Sequence, residues 1–449
     1  MRLGQLVVDV TPARVSRDFR LLLICRTVVL LGAGFIAVAA PVQVYRLTES
    51  SLQVGLISLT LGMTMLLGFI AGGVLADRMD RRKLILISSV TVVLAFTAFA
   101  VNAAVPSAHE LLFIYLIVIV GAGVEGIGQT ALAAVTPALV APEHLAAGSG
   151  LIVVTSQLGL IAGPALGGVI IAGAGLPGAY AAAAAAVLIS TVLLATLPAL
   201  PPGAADATDD TEVEAEREGW FVSIAEGFRF VRHDKLIRAV LIIDLCATGF
   251  GVPQTLFPQL VAEVFHGGPE MIGLLAAAPA VGALLASVSS GWTSRVRRSG
   301  RALIISVLLM GAAYVGFGLS PHLVPAMIFL AIIGGVDSVS EILRRALLMR
   351  HTPDHLQGRV NSLWLAQAST SYSLGSTTSG FAAGLFGPAV AIVGAGALCI
   401  SGVAALASTS PELRDATLTV DEDTVDPAVS VAAVSGSTEK DPGAEVSLG

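Results

Sequence analysis

Twelve long apolar stretches recur between residues 21 and 407, and each is sufficient to carry a helix across a hydrocarbon core of about 30 Å. They lie near 21–45, 52–76, 84–104, 111–134, 147–171, 178–198, 236–260, 270–291, 302–319, 323–343, 358–383 and 386–407. Only 13% of the 449 residues are charged, against about 25% in a soluble domain. Such a chain lacks the polar side chains to cover a water-exposed surface. Soluble enzyme, nucleic-acid binder and disulfide scaffold are poor readings, and a polytopic all-α membrane protein is the expected class. Lipids surround it, and no nucleic-acid partner is expected.

The net charge of −7 hides a basic membrane body, because the acids concentrate in two polar segments. Asp206 to Glu218 holds seven acids and one base, and Pro411 to Gly449 holds nine acids and two bases. Both have the composition of disorder. The expected plan is a cytoplasmic N-terminal segment (1–20), a six-helix half (21–198), an acidic linker (199–235), a second six-helix half (236–410) and a disordered acidic tail (411–449). Cys25, Cys246 and Cys399 are odd in number and lie in apolar stretches, so they read as packing residues.

Topology follows from the bases. Of the 25, 23 fall on one side when the twelve spans are threaded, among them Arg344 and Arg345 after the tenth. Arg46 alone lies in an opposite loop and Arg26 alone within a span. The excess of Lys and Arg marks the cytoplasmic side, so both termini are expected there.

The two halves repeat. Gly55 and Gly273, Gly73 and Gly291, and Ser88 and Ser306 share an offset of 218. Pro142 and His144 match Pro353 and His355 at an offset of 211. Duplicated six-span halves around a midplane cavity are a common plan of secondary transporters.

Two motifs carry more than packing. Gly73, Asp77, Arg78, Arg81, Arg82 and Lys83 line the loop between spans two and three, where glycine permits close helix approach and Asp77 can pair with bases. In span five, Gly159, Gly163, Pro164, Gly167 and Gly168 put small residues four apart around a proline that bends the helix. The first resembles the major facilitator signature Gly-x-x-x-Asp-Arg-x-Gly-Arg-Arg, with Asp80 in place of its second glycine. The second is similar to the antiporter motif of the same superfamily, Gly-x-x-x-Gly-Pro-x-x-Gly-Gly. By this resemblance Asp77 and its bases join the halves in one state and release them in the other.

Ionisable residues inside spans cost roughly 2.5–3.5 kcal/mol each on insertion scales, so each asks for a use. They are Arg26, Glu125, Asp244, Asp337 and Glu341. Asp337 and Glu341 are four apart and share a helical face, where two carboxylates suit proton carriage. Glu341 can alternatively pair with Arg344 or Arg345. Arg26 suits an anionic substrate or a carboxylate partner.

Further segments extend the resemblance to the enterobactin-exporter branch of the superfamily. They are Phe19 to Arg26, Pro41-Val-Gln43-Val-Tyr45, Gln53-Val-Gly55-Leu56, Thr136 to Val140, Gly358 to Trp364, and Ala366-Gln367. The resemblance implies a bacterial cytoplasmic-membrane protein that exports a small molecule, a catecholate siderophore, against proton entry, and works as a monomer. Broad drug efflux by the same fold is the alternative. An enzyme or a receptor is disfavoured. No phosphate loop or nucleophile elbow occurs and all seven His stand at loops or span ends, so no cofactor and no metal are expected.

Overall fold

The computed structural model describes residues 17–135, 145–196, 229–249, 253–289 and 298–417. Among them every regular element is helical, as the bilayer requires when each backbone group must be satisfied within its own segment. The N-terminal half begins with α1 (Arg17–Thr48), α2 (Ser51–Arg78), α3 (Arg81–Ala104) and α4 (Glu110–Val135).

Leu145–Leu194 follows as a hairpin. Gly175 breaks its helical geometry at φ 72°, ψ −178°, a conformation open to glycine and strained for other residues. The two arms, α5 (145–174) and α6 (176–194), run in opposite directions along α1. Leu30, Gly34 and Phe35 meet Gly159, Gly163 and Gly167 in rising order. Gln43 and Cys25 meet Tyr180 and Ser190 in falling order.

The second half holds α7 (Lys235–Thr248), continued by the turns Pro253–Leu256, Phe257–Leu260 and Val261–Phe265, then α8 (Pro269–Ser289) and α9 (Ser299–Gly318). α10 (Leu323–His351), α11 (Asp354–Phe386) and α12 (Pro388–Thr409) complete it. Gly387, at φ 81°, turns the chain between the last two.

By length and hydropathy, ten helical segments among the described residues can cross a membrane. Two facts separate ten from the twelve expected. The α5–α6 hairpin counts once, as Thr155–Leu194. α11 is too polar to qualify, although its 33 residues rise about 50 Å. Its Ser371, Ser373, Ser376 and Ser379 are buried.

The halves touch along two seams. α2 lies on α11, where a methyl group at Gly55 would stand 2.6 Å from the Ser376 carbonyl oxygen. α5 lies on α8, where one at Gly168 would stand 2.7 Å from the Pro269 carbonyl oxygen. These contacts belong to the ends of α2, α5, α8 and α11 away from the chain termini. Side chains bridge the halves there too: Ser51 Oγ donates to Gln259 Oε1 (2.6 Å) and Tyr45 Oη to Glu263 Oε1 (3.2 Å). The main core runs through both halves at this end, from Val38, Val42 and Val54 to Leu256 and Phe257. Near the termini, Phe19, Leu23, Leu84, Ile85, Leu151 and Leu194 form a separate cluster confined to the first half. The chain is therefore closed at the end away from its termini.

Packing continues past the point where the acidic tail was expected to begin. Leu413 is buried, the Gly300 amide donates to the Ala416 carbonyl (3.1 Å), and Lys235 pairs with Glu412 (3.1 Å). Glu412's own backbone amide and the Lys235 ammonium hold its carboxyl below the usual carboxylate range. The acidic linker's Asp206 to Glu218 and residues 418–449 lie outside the described residues, as do Thr136 to His144.

Candidate functional site

α10 carries the chemistry because its apolar run extends beyond Arg344, through Leu347 and Leu348, so the helix cannot end at the bases. The sequence alone puts Arg344 in a cytoplasmic loop. Instead it is 3% exposed, two turns along the helix from Asp337 and on the same face. Burial of an unpaired guanidinium is prohibitive, and Arg344 is doubly paired. Its Nη1 bonds Asp244 Oδ1 on α7, and its Nη2 bonds Asp337 Oδ1 at 3.2 Å. Gln367 on α11 donates to the other Asp244 oxygen (3.3 Å) and to the Leu241 carbonyl (2.8 Å). Three helices of the second half are thereby tied at one point.

The two carboxylates differ in access. Asp244 is 2% exposed, whereas the Asp337 side chain is 45% exposed. Glu341, one turn on, is exposed and makes no ion pair among the described residues. Its expected alternative pairing is not formed: Arg344 is engaged by the aspartates, and the Arg345 guanidinium lies 5.3 Å over the Trp364 ring. Carboxylates at membrane depth face protein interior or water rather than lipid, which directs Asp337 and Glu341 toward the space between the halves.

The first half has the opposite pattern. Arg26 on α1 is half-buried, donates from Nε to Ser156 Oγ on α5 (3.3 Å), and meets no carboxylate among the described residues. Arg26 and Asp244 stand at the offset of 218 already noted, and Ser156 and Gln367 at the offset of 211. The α1–α5 contact Arg26–Ser156 is thus repeated as the α7–α11 contact Asp244–Gln367, with the charge reversed. Glu125 on α4 is half-buried, one helical turn before Gln129. The structure brings Asp244 and Asp337 together through Arg344, and leaves Arg26 and Glu125 apart from that cluster.

The motif residues fall in two groups. In the loop after α2, Asp80 accepts from the Arg82 amide (2.8 Å) and caps α3, which gives a local role to the residue that replaces glycine. Arg82 reaches the Ala195 carbonyl at the end of α6 and Lys83 is exposed. A methyl group at Gly73 would meet nothing, and the side chains of Asp77, Arg78 and Arg81 lie outside the described residues. In α5, Gly159, Gly163 and Gly167 pack on α1, while Gly168 and the Pro164 carbonyl meet Pro269 and Gly273 of α8. The motif therefore serves a contact within a half and one between halves.

Comparison with known proteins agrees with this architecture. The chain is 34% identical over 362 residues to "Enterobactin exporter EntS" of Citrobacter koseri, covering 81% of this chain and 84% of that one. It is 33% identical over the same shares to the protein of that name from Salmonella typhimurium. Among solved structures, the nucleoside transporter NupG superposes with a TM-score of 0.69 at 12% identity, over 87% of this chain and 98% of that one. A D-xylose–proton symporter does so with a TM-score of 0.68 at 12% identity, over 90% and 100%. At these identities the structures speak for the fold alone. Residues 10–437 match the family model described as transmembrane secretion effector, and the chain belongs to that family, within the major facilitator transporters rather than among enzymes.

Proposed function

We propose that this protein exports a siderophore of the catecholate class from the bacterial cytoplasm, by alternating access and against proton entry. The observation that carries the reading is the extended likeness to enterobactin exporters over 81% of the chain. In this reading the protein sits in the cytoplasmic membrane as a monomer, crosses it twelve times, and keeps both termini, the 199–235 linker and the 411–449 tail inside. The closed end is then the periplasmic one, and the described conformation faces the cytoplasm.

Arg26 receives an acceptor or anionic group of the substrate. Asp337 carries the proton, since it combines exposure with a buried cation that it can release. Glu341 assists it, Asp244 stays charged against Arg344, and Glu125 is the reserve carboxylate of the first half. Asp77 with Arg78, Arg81, Arg82 and Lys83 gates the cytoplasmic end, and the Gly159–Gly168 motif sets the pivot between α5 and α8.

Expression in a bacterium that makes enterobactin but lacks its own exporter tests the reading. Siderophore in the medium should rise several-fold over the empty strain, and collapse of the proton gradient should abolish the rise. No change in secretion would refute the substrate; secretion indifferent to the gradient would refute the coupling.

A further inference from the structure

The charged groups at membrane depth are not equally available to a molecule lying between the halves. Arg344 is buried with two aspartates on it, and Asp244 is enclosed by Arg344 and Gln367. Among the described residues, what stays open at this depth on the second half is a pair of acceptors, Asp337 and Glu341, and on the first half a single cation, Arg26. Asp337 shares its helix face with Glu341 and Arg344 and lies across Arg344 from Asp244 on α7, with Tyr314 of α9 within electrostatic range of it and Tyr372 of α11 within range of Tyr314. α8 brings only Glu270, in its first turn, at the far end.

The sign of coupling then constrains what the substrate presents to this wall. An anion seated on Arg344 would take the place of Asp337, which would then hold a proton more readily. Anion and proton would bind together and travel in one direction. A hydrogen-bond donor on the Asp337 and Glu341 oxygens competes with the proton for the same lone pairs. Donor and proton then exclude each other and travel in opposite directions, as linkage requires of an antiporter.

We infer that Asp337 and Glu341 recognise hydrogen-bond donor groups of the exported molecule, phenolic hydroxyls above all, and that Arg344, fixed by Asp244 and Gln367, is the positioning residue that keeps Asp337 in its accepting form. This rests on the exporter reading above and adds to it which groups of the substrate each wall takes. The acceptor end of the molecule goes to Arg26 and the donor end to α10.

Equilibrium binding of iron-free enterobactin to the purified full chain in nanodiscs, from pH 5 to 8, tests it. Kd should rise about tenfold per pH unit below a midpoint, the signature of one competing proton. The Asp337→Asn/Glu341→Gln variant should bind at least tenfold more weakly at pH 8 and show no pH dependence. Enterobactin with its catechol hydroxyls methylated should lose the same factor against the wild type and nothing further against that variant.

Arg344→Gln alone leaves Asp244 buried and unpaired, so the charge-balanced Asp244→Asn/Arg344→Gln variant is the informative one. Its midpoint should move up by about 1–3 pH units, and Arg344→Lys should restore it. A merely structural Arg344 would lower the yield and leave the midpoint in place. Binding that tolerates methylation would overturn the inference and leave the exporter reading intact, whereas binding that tightens as pH falls would overturn the inference and export against proton entry with it. No binding of enterobactin by the wild type at any pH would overturn both.

Discussion

Arg26 and Asp244 occupy the same place in the two halves, 218 residues apart, and carry opposite charges. Each is held by a polar side chain of the corresponding helix, Ser156 for Arg26 and Gln367 for Asp244. Duplication thus kept the helix contact and changed its chemistry. Asp244 acquired a buried cation in Arg344, while Arg26 has a neutral hydroxyl and remains able to receive an acceptor. The two walls of the molecule are therefore electrically unlike.

Removing the cation should be severe. Arg344→Gln leaves Asp244 charged and enclosed, at a cost of about 3–5 kcal/mol. The Asp244→Asn/Arg344→Gln pair removes both charges and should recover most of that loss. Thermal unfolding of the purified variants should rank them wild type, double variant, then single variant. A single variant as stable as the wild type would show that the ion pair contributes nothing.

The α5–α8 seam should tolerate no side chain at its tightest point. Gly168→Leu places atoms against the Pro269 carbonyl and the Gly273 Cα, both of them backbone. Export should fall at least tenfold while the protein still reaches the membrane. A cysteine pair across the seam, at positions flanking Gly168 and Gly273, should cross-link less efficiently in the variant. Unchanged export and cross-linking would mean that the halves do not close here.

Asp80 and Asp77 should separate stability from gating. Asp80 caps α3, so Asp80→Gly should cost a few tenths of a kcal/mol and Asp80→Ala about 1 kcal/mol, both with near-normal export. Asp77→Asn should slow export several-fold at normal membrane abundance. Wild-type rates in Asp77→Asn would reduce the loop to a topological anchor.

The architecture was legible in the sequence because membrane helices announce themselves locally. Apolar length, the distribution of bases, and the offset shared by Gly55 and Gly273 required no knowledge of packing. α11 shows the limit of hydropathy: Thr377 donates to the Ser373 carbonyl of its own helix (3.0 Å) and to the Gly55 carbonyl of α2 (3.4 Å), and the buried serines around it lower the hydropathy of a helix that still packs between its neighbours. Arg344 escapes a local reading because it adjoins Arg345, and two adjacent bases read as a loop. A helix turns about 100° between them, which sends one inward to Asp244 and the other onto Trp364. Two signals were available: seven-residue spacing from Asp337, and the apolar residues after Arg345 that continue the helix. The pairing of Asp244 with an arginine a hundred residues away left no local trace.

The central claim is that proton entry drives export through a carboxylate of the charged wall, and transport in proteoliposomes under an imposed pH gradient tests it most directly. Wild-type chain should move enterobactin against its gradient when the opposite compartment is acid, and stop when the gradient is collapsed. Asp337→Asn should still carry enterobactin down its own gradient and lose the response to pH. Glu341→Gln, Glu125→Gln and Asp244→Asn, tested singly, should each retain part of that response. If all four amide variants keep the full effect of the gradient, the coupling site is not among these residues and the account is wrong.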